Sequence, residues 1–448
     1  MSQSLLETVA ADVARVLPHR GHSRCCIALS GGLDSIVLLD LLGTLRRRGY
    51  RSLELRALHV DHALQPQSRH WAAAATAAAS EVGIVCDVIT VRVEAASGSG
   101  LEAAARAARH AAFREQLRDG EVLATAHHAD DQLETVLLAL MRGAGVAGLA
   151  AMPRLAPLAR GWHWRPLLEV DRTAIEVWAR ERQLQWSDDP TNAQLRYDRN
   201  FLRHTVLPRL RERWPHAAQS AGRSGRHLAE AMDLLDGIAL ADLRDAAVGA
   251  CLDLAVLRQL ALPRRRQLLR FWLRVQGLRV PSERRLTAIL ADLLGAAVDR
   301  NPVIAWEEGA SVRRHRGLLY AVHDLADPPP AGACLRLSLE RPLMLPCGLG
   351  RLRLCGRADA ASQMAERDRQ LEVRFRQGAE RVRLAGHTGS VELGEVLRRA
   401  RVLPWMRDRV PLVFAGDELV AIGDASLGGR AARATLLWED APRWRAER

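Results

Sequence analysis

The chain predicts an α/β fold in which a parallel sheet carries helices on both faces, followed by a helical middle domain and a small α+β C-terminal domain. Three observations carry this reading. Apolar runs alternate with helix-period segments through residues 1–150; past Pro215 the sequence turns helical and Arg-rich; beyond Asp327-Pro328-Pro329-Pro330, apolar and basic residues alternate with the period of strands.

In the first part, strands are expected at 25–29, 53–60, 84–91 and 122–126, and helices at 35–48, 68–82, 101–117 and 130–142. The strands are continuously apolar, the pattern of a parallel sheet covered on both faces. Ligands in such folds collect at the carboxyl ends of strands, so the residues that follow each strand are the candidates for function. The middle region contains Pro263-Arg264-Arg265-Arg266 and Arg270-Phe271-Trp272-Leu273-Arg274. The prolines read as a stiff linker. Leu335-Arg336-Leu337-Ser338-Leu339 and Arg351-Leu352-Arg353-Leu354 read as strands of the last domain. The expected boundaries are 1–216, 217–326, 327–334 for the linker, and 335–448, with no internal repeat.

Composition narrows the classes. With 448 residues and 48% hydrophobic content, two or three separate cores can form. The 64 basic residues, all arginine, outnumber 52 acidic ones and give a formal charge of +12, which suits a polyanionic partner. Cysteines at 25, 26, 86, 251, 334, 347 and 355 form no Cys-x-x-Cys pair and no metal-ligand spacing with histidine. They read as thiols in a reducing compartment, and an iron–sulfur cluster is not expected. Residues 1–20 carry Glu7 and Asp12 without an apolar leader core, and no stretch of membrane-spanning length is free of charge. A cytoplasmic location and no membrane partner follow as expectations.

Ser30-Gly31-Gly32-Leu33-Asp34-Ser35 stands between the first strand and its helix. Two glycines let backbone N–H groups approach an oxyanion, and the helix turns its positive end to the same charge. Ser30 and Ser35 add hydroxyls, and Asp34 is placed to hold a hydrated Mg²⁺ that bridges phosphates. The Walker loop needs a lysine, and this chain has none. After the second strand come His59-Val60-Asp61-His62, readable as a substrate edge, a metal site or a capped turn. Gly100-Leu101-Glu102-Ala103-Ala104-Ala105-Arg106 opens the third helix, with Glu102 and Arg106 four apart on one face and Arg109 one turn on. His127-His128-Ala129-Asp130-Asp131-Gln132-Leu133-Glu134-Thr135 begins the fourth. Asp131 and Glu134 share a helical face, and their repulsion calls for a cation or a basic substrate there. Asp188-Asp189-Pro190-Thr191-Asn192 then leads into Tyr197-Asp198-Arg199-Asn200-Phe201-Leu202-Arg203.

The first motif resembles the SGGxDS loop of the PP-loop ATP pyrophosphatases, a Rossmann-like fold that cleaves ATP between its α and β phosphates. The five motifs in this order, over roughly residues 22–215, are similar to those of the tRNA(Ile)-lysidine synthetase family. That resemblance implies ligation of free L-lysine to C2 of the wobble cytidine in a tRNA(Ile) with a CAU anticodon, through an adenylated base, with ATP and Mg²⁺. It implies an ATP site at Ser30, Gly31, Gly32, Leu33, Asp34, Ser35, His59 and Val60, with Asp34 as the Mg²⁺ ligand. Asp34, His127, Asp131, Glu134 and Arg106 are the implied catalytic set. Arg199, Arg203, Arg264, Arg265, Arg398 and Arg399 are the implied RNA contacts. The family carries Gly where Ala63 stands here, and lysines where Arg398 and Arg399 stand. A sulfur-inserting relative would call for paired cysteines, and a binding-only RNA protein would have no use for these acids. Neither the proton acceptor for the lysine amine nor the choice between monomer and homodimer is legible in the sequence.

Overall fold

The computed structural model describes residues 2–17, 24–50, 53–65, 67–93, 101–188, 194–295, 301–306, 309–323, 325–338, 341–355, 371–387, 389–427 and 435–447, with side chains of Ser2 and 101–103 left aside. The chain forms two compact units, Met1–Leu234 and Leu235–Arg448.

The first unit is built on a six-stranded sheet. Its strands are β1 (Arg24–Ala28), β2 (Glu54–Asp61), β3 (Val85–Thr90), β4 (Val122–Ala124), β5 (Leu155–Leu158) and β6 (Gly161–Trp164). They stand in the order β3-β2-β1-β4-β6-β5, parallel except for the β5–β6 hairpin. All four expected strands and the four expected helices are present, α2 (Leu33–Arg47), α3 (Ser68–Glu81), α4 (Leu101–Gln116) and α5 (Ala129–Met141), and a further helix, α1 (Ser2–Val16), precedes β1. The edge hairpin was not expected. Its segment carries Pro157 and a run of Trp-His-Trp, which hides the alternation of a strand. Alternate residues of β1 serve two cores. Cys25 and Ile27 join the α1–α2 layer, and Cys26 joins a cluster with Phe113 of α4 and Leu117 just beyond it. Fully buried Leu38, Leu41 and Leu42 of α2 each contribute about 1.5–3 kcal/mol. Polar anchors join the layers: the Trp164 indole donates to Asp12 at 2.7 Å and the Trp178 indole to Asp40 at 2.9 Å. Helices α6 (Val146–Leu149), α7 (Arg172–Glu181), α8 (Asp198–Phe201) and α9 (Leu207–Arg213) follow, with a wider π turn over Leu202–Val206 between the last two.

The division between the units falls within α10 (Ala217–Ala246). The second unit holds the expected helical stretch, α11 (Leu254–Gln259), α12 (Leu262–Val275) and α13 (Glu283–Gly295), around buried Leu269, Trp272, Leu273 and Ile289. It also holds a five-stranded antiparallel sheet that the sequence did not disclose, because strands of two to five residues with arginines on them blur the period. The C-terminal region is β-rich, with a seven-stranded and a three-stranded sheet. Here Cys334–Leu337 and Arg351–Cys355 are strands where strands were expected. The proline stretch is flanked by Leu325, Ala326 and Ala333, all packed against the core of this unit.

Candidate active site

β1 delivers the chain to Ser30 where the strand order reverses, between β2 and β4. Gly31 turns through φ +86°, a conformation that glycine adopts without strain. The space for a Cβ is open, with Trp71 O at 3.8 Å and Ala75 Cβ at 3.9 Å, so the need is conformational. The Gly31 N–H donates to Ser35 Oγ at 3.2 Å, the Gly32 N–H to Ser30 Oγ at 3.4 Å, and the Ser35 hydroxyl to Gly32 O at 2.9 Å. A preformed loop of hydroxyls and amides therefore sits at the N-terminus of α2, where the helix favours negative charge. Leu33 opens the helix and packs into the core.

Asp34 lies in the first turn of α2. Its Oδ1 is buried and has no hydrogen-bond partner among the described residues, and its Oδ2 is 3.6 Å from His128 Nε2. A buried carboxylate oxygen left unpaired is costly, and a hard cation is a partner such an oxygen takes. Among the described residues no group of three or more His, Cys, Asp or Glu forms a metal cage. That donor set fits Mg²⁺, which binds through one or two carboxylates plus phosphate and water oxygens.

His128 caps α5. Its backbone N–H donates to Asp131 Oδ2 at 2.9 Å, and its Nδ1 accepts the Asp130 N–H at 3.3 Å. The fully buried ring then stands between two acids, with Nε2 3.6 Å from Asp34 and 3.5 Å from Asp131. Burial opposes its charge, but Asp131 and Asp34 together outweigh burial and raise its pKa. Sequence reasoning assigned this histidine no role, although its place as N-cap beside two acids was the available signal.

The cation that Asp131 and Glu134 call for is supplied by the fold. Arg203, aimed by the π turn, donates to Glu134 Oε1 at 2.7 Å and to Asp131 Oδ1 at 2.8 Å. Burial raises the Glu134 carboxyl against the pull of Arg203. At Asp131 burial also works upward, but His128, His127 and Arg203 prevail and lower it. Asp131 and Arg203 border the cavity; Glu134 has no exposed surface and lies behind them.

The cavity has a volume of about 930 Å³. Ser30, Gly32, Asp34 and Ser35 form one wall, and His59 and Val60 another. The His59 Nδ1 is 2.8 Å from Leu29 O, and burial lowers its pKa. Arg106 and Arg109 of α4, His127, and Arg196 and Arg199 complete the lining. Arg199 also reaches Thr135 Oγ1 at 3.4 Å. Ala63, where the family has glycine, turns through φ +50°, and its N–H donates to Asp61 Oδ1 at 2.8 Å. The side chain of Glu102 and residues 189–193 lie outside the described residues. In the second unit, Arg264 pairs with Asp242 and Arg265 bonds the carbonyls of Leu260 and Arg258. Arg398 and Arg399 share Glu395.

This loop, on this sheet, beside an acid with one unpartnered carboxylate oxygen, defines a PP-loop ATP-utilising protein, and the PP-loop domain pattern matches residues 5–210. The TilS substrate binding domain matches residues 252–320, and the TilS substrate C-terminal domain residues 371–445. Similar over nearly their full length are the tRNA(Ile)-lysidine synthases of Alkalilimnicola ehrlichii (43% identical, covering 94% of this chain and 93% of that one) and Methylococcus capsulatus (41%, 89% and 90%). That of Coxiella burnetii is 38% identical, over 90% and 88%. The chain belongs to the tRNA(Ile)-lysidine synthase family. Among solved structures, a U34-tRNA thiolase from Methanococcus maripaludis aligns with a TM-score of 0.43 at 18% identity, over 51% of this chain and 78% of that one.

Proposed function

We propose that the chain ligates free L-lysine to C2 of the wobble cytidine of CAU-anticodon tRNA(Ile), at the expense of ATP, so that the tRNA reads AUA instead of AUG. The observation that carries this is the meeting, in one cavity, of a phosphate loop, Asp34 with its unpartnered Oδ1 and a basic rim, in a chain of this family. The cytosine C2 oxygen attacks the α phosphate and pyrophosphate leaves. The lysine amine then attacks C2 and AMP departs, which restores the ring. Ser30 to Ser35 cradle the phosphates with amides and hydroxyls. Asp34 would hold Mg²⁺, which when bound would neutralise phosphate charge. His128 fixes Asp34 and Asp131 relative to one another, and Arg203 holds Asp131 and Glu134 in place. Arg106, Arg109 and Arg199 attract and orient the anionic substrates. Arg398 and Arg399 are proposed to meet tRNA phosphates, whereas Arg264 and Arg265, expected in that role from the resemblance, are held by Asp242 and by backbone carbonyls; the domains are proposed to divide as the sequence suggests, in the cytoplasm. A homodimer is a further proposal, read by sedimentation.

The test is incorporation of labelled lysine into purified CAU-anticodon tRNA(Ile), with elongator tRNA(Met) as control. Label in the first alone, with AMP and pyrophosphate formed, supports the reading. Pyrophosphate release without lysine transfer would keep the ATP chemistry and discard the substrate.

A further inference from the structure

His127 ends a buried hydrogen-bond chain whose direction is set at its far end. Arg165, just after β6, donates from Nη1 to Pro153 O at 2.7 Å, and its Nη2 is 3.0 Å from His163 Nδ1. Burial and the nearby Arg106 bring this guanidinium down to about 10, which leaves it charged at neutral pH, and a guanidinium has donors only. His163 Nδ1 therefore accepts, so its ring proton is on Nε2, 2.9 Å from Thr125 Oγ1. Thr125 has one proton to give. Its oxygen accepts from His163, so its hydroxyl donates to His127 Nδ1, 2.8 Å away. The proton of His127 is thus on Nε2. Rotating the His163 ring by half a turn would lose both of its bonds, so the order is not arbitrary. Burial lowers His127 to about 4 and His163 to about 3, in keeping with two neutral rings. His127 lines the cavity, and among the described residues its Nε2 has no hydrogen-bond partner.

We propose that His127 holds a fixed Nε2–H donor toward an oxygen of the bound substrate, and that Thr125, His163 and Arg165 are positioning residues that set this tautomer. In the lysidine reading, on which the kinetic part rests, that oxygen is the cytosine O2 or an α-phosphate oxygen. His127 then stabilises charge during transfer and does not take the proton of the lysine ammonium.

Two measurements test this. The ¹⁵N spectrum of histidine-labelled protein at neutral pH, with His127 assigned by its loss in His127→Gln, should show a pyridine-type Nδ1 and a pyrrole-type Nε2. Thr125→Val should mix the tautomers and Thr125→Ser should keep them. An imidazolium, or a proton on Nδ1, overturns the assignment whatever the enzyme's substrate. In kinetics, His127→Gln places an amide N–H near the same point and has no titrating group, so both half-reactions should stay within about ten-fold of the parent. His127→Leu should lose about 10²–10³ in kcat for adenylation, as for a removed oxyanion donor. A raised KM for ATP in His127→Leu assigns the phosphate oxygen, and a raised KM for tRNA assigns the base. Normal adenylation with lysine transfer abolished equally in Gln and Leu variants would make His127 the base and sink the proposal. Absence of lysine transfer in the parent chain would refute the lysidine reading and leave the tautomer assignment to the spectrum.

Discussion

At the scale of single residues, the site is a set of buried and half-buried charges in mutual contact, so removing one leaves another without its partner. Asp34→Ala should abolish pyrophosphate release while leaving tRNA affinity nearly unchanged, measured by pyrophosphate assay and filter binding; equal loss of both would refute this division of roles. Arg203 is tied to Asp131 and Glu134. Arg203→Met leaves two buried carboxylates without their cation and should cost about 3–5 kcal/mol in urea unfolding. Adding Glu134→Leu should recover part of that loss, because the buried charge then goes with its partner; no recovery would show that Arg203 is not held there by Glu134. The histidines give a pH signature. His127 and His163 titrate near 4 and 3 in the fold against an ordinary 6.5, so the unfolded chain takes up protons first as pH falls. Their contribution is whole above about 6.5 and fades as pH falls toward 4 and then 3. The groups that face His127 are Asp131, which favours its charged form, and Arg165, Arg106 and Arg199, which oppose it. His128, with its pKa raised, acts in the opposite sense and loses its contribution as pH rises. Urea midpoints across this range should drop for the parent and flatten in His163→Gln.

At the scale of elements, close backbone approach decides what the sheet tolerates. A Cβ on Gly161 would meet Glu121 O at 2.0 Å and Leu117 Cδ2 at 3.0 Å, so β6 lies against the start of β4 only because this residue has no side chain. Gly161→Ala should cost about 1–3 kcal/mol or more in unfolding, through forced displacement of β6. It should also slow adenylation, since His163 is two residues along. An unchanged urea midpoint would mean that the strand moves freely. The same region shows where the sequence was legible. β1 to β4 and their helices stand out because Cys25 to Leu29 or Leu38 to Leu42 are long apolar runs between clear turns. The motif residues fall at the strand ends for the same reason. The β5–β6 hairpin is short, with Pro157 and polar His163 among tryptophans, so neither period shows. Thr125, His163 and Arg165 gain meaning only when β6 is laid beside β4, since their relation is a hydrogen-bond path and not a spacing. Likewise, Asp131 and Glu134 were legible as one acidic face, but nothing in their own helix announces that Arg203, 69 residues beyond Glu134, neutralises them.

For the whole molecule, charge excess predicts association with a polyanion, but the pairing of individual arginines decides which of them remain available to it. Arg264 is bound to Asp242, a buried acid, and Arg265 is tied to backbone carbonyls. Arg398 and Arg399 share the single carboxylate of Glu395 on an exposed helix face, so one positive charge there is uncompensated. The two pairs should therefore respond differently to neutralisation. Removing one arginine–phosphate interaction lowers the slope of log affinity against log salt by about 1, so Arg398→Gln with Arg399→Gln should lower it by about 1–2 without changing the unfolding midpoint. Arg264→Gln should lower the midpoint, because Asp242 loses its partner, while leaving the slope close to that of the parent. Affinity for CAU-anticodon tRNA(Ile) across a salt series, measured beside urea unfolding for the same variants, separates these outcomes. A full parental slope in the Arg398 and Arg399 variant would remove that helix from the RNA interface. A reduced slope in Arg264→Gln alone would show that Arg264 leaves Asp242 to meet phosphate, and would place the RNA path over α12 instead.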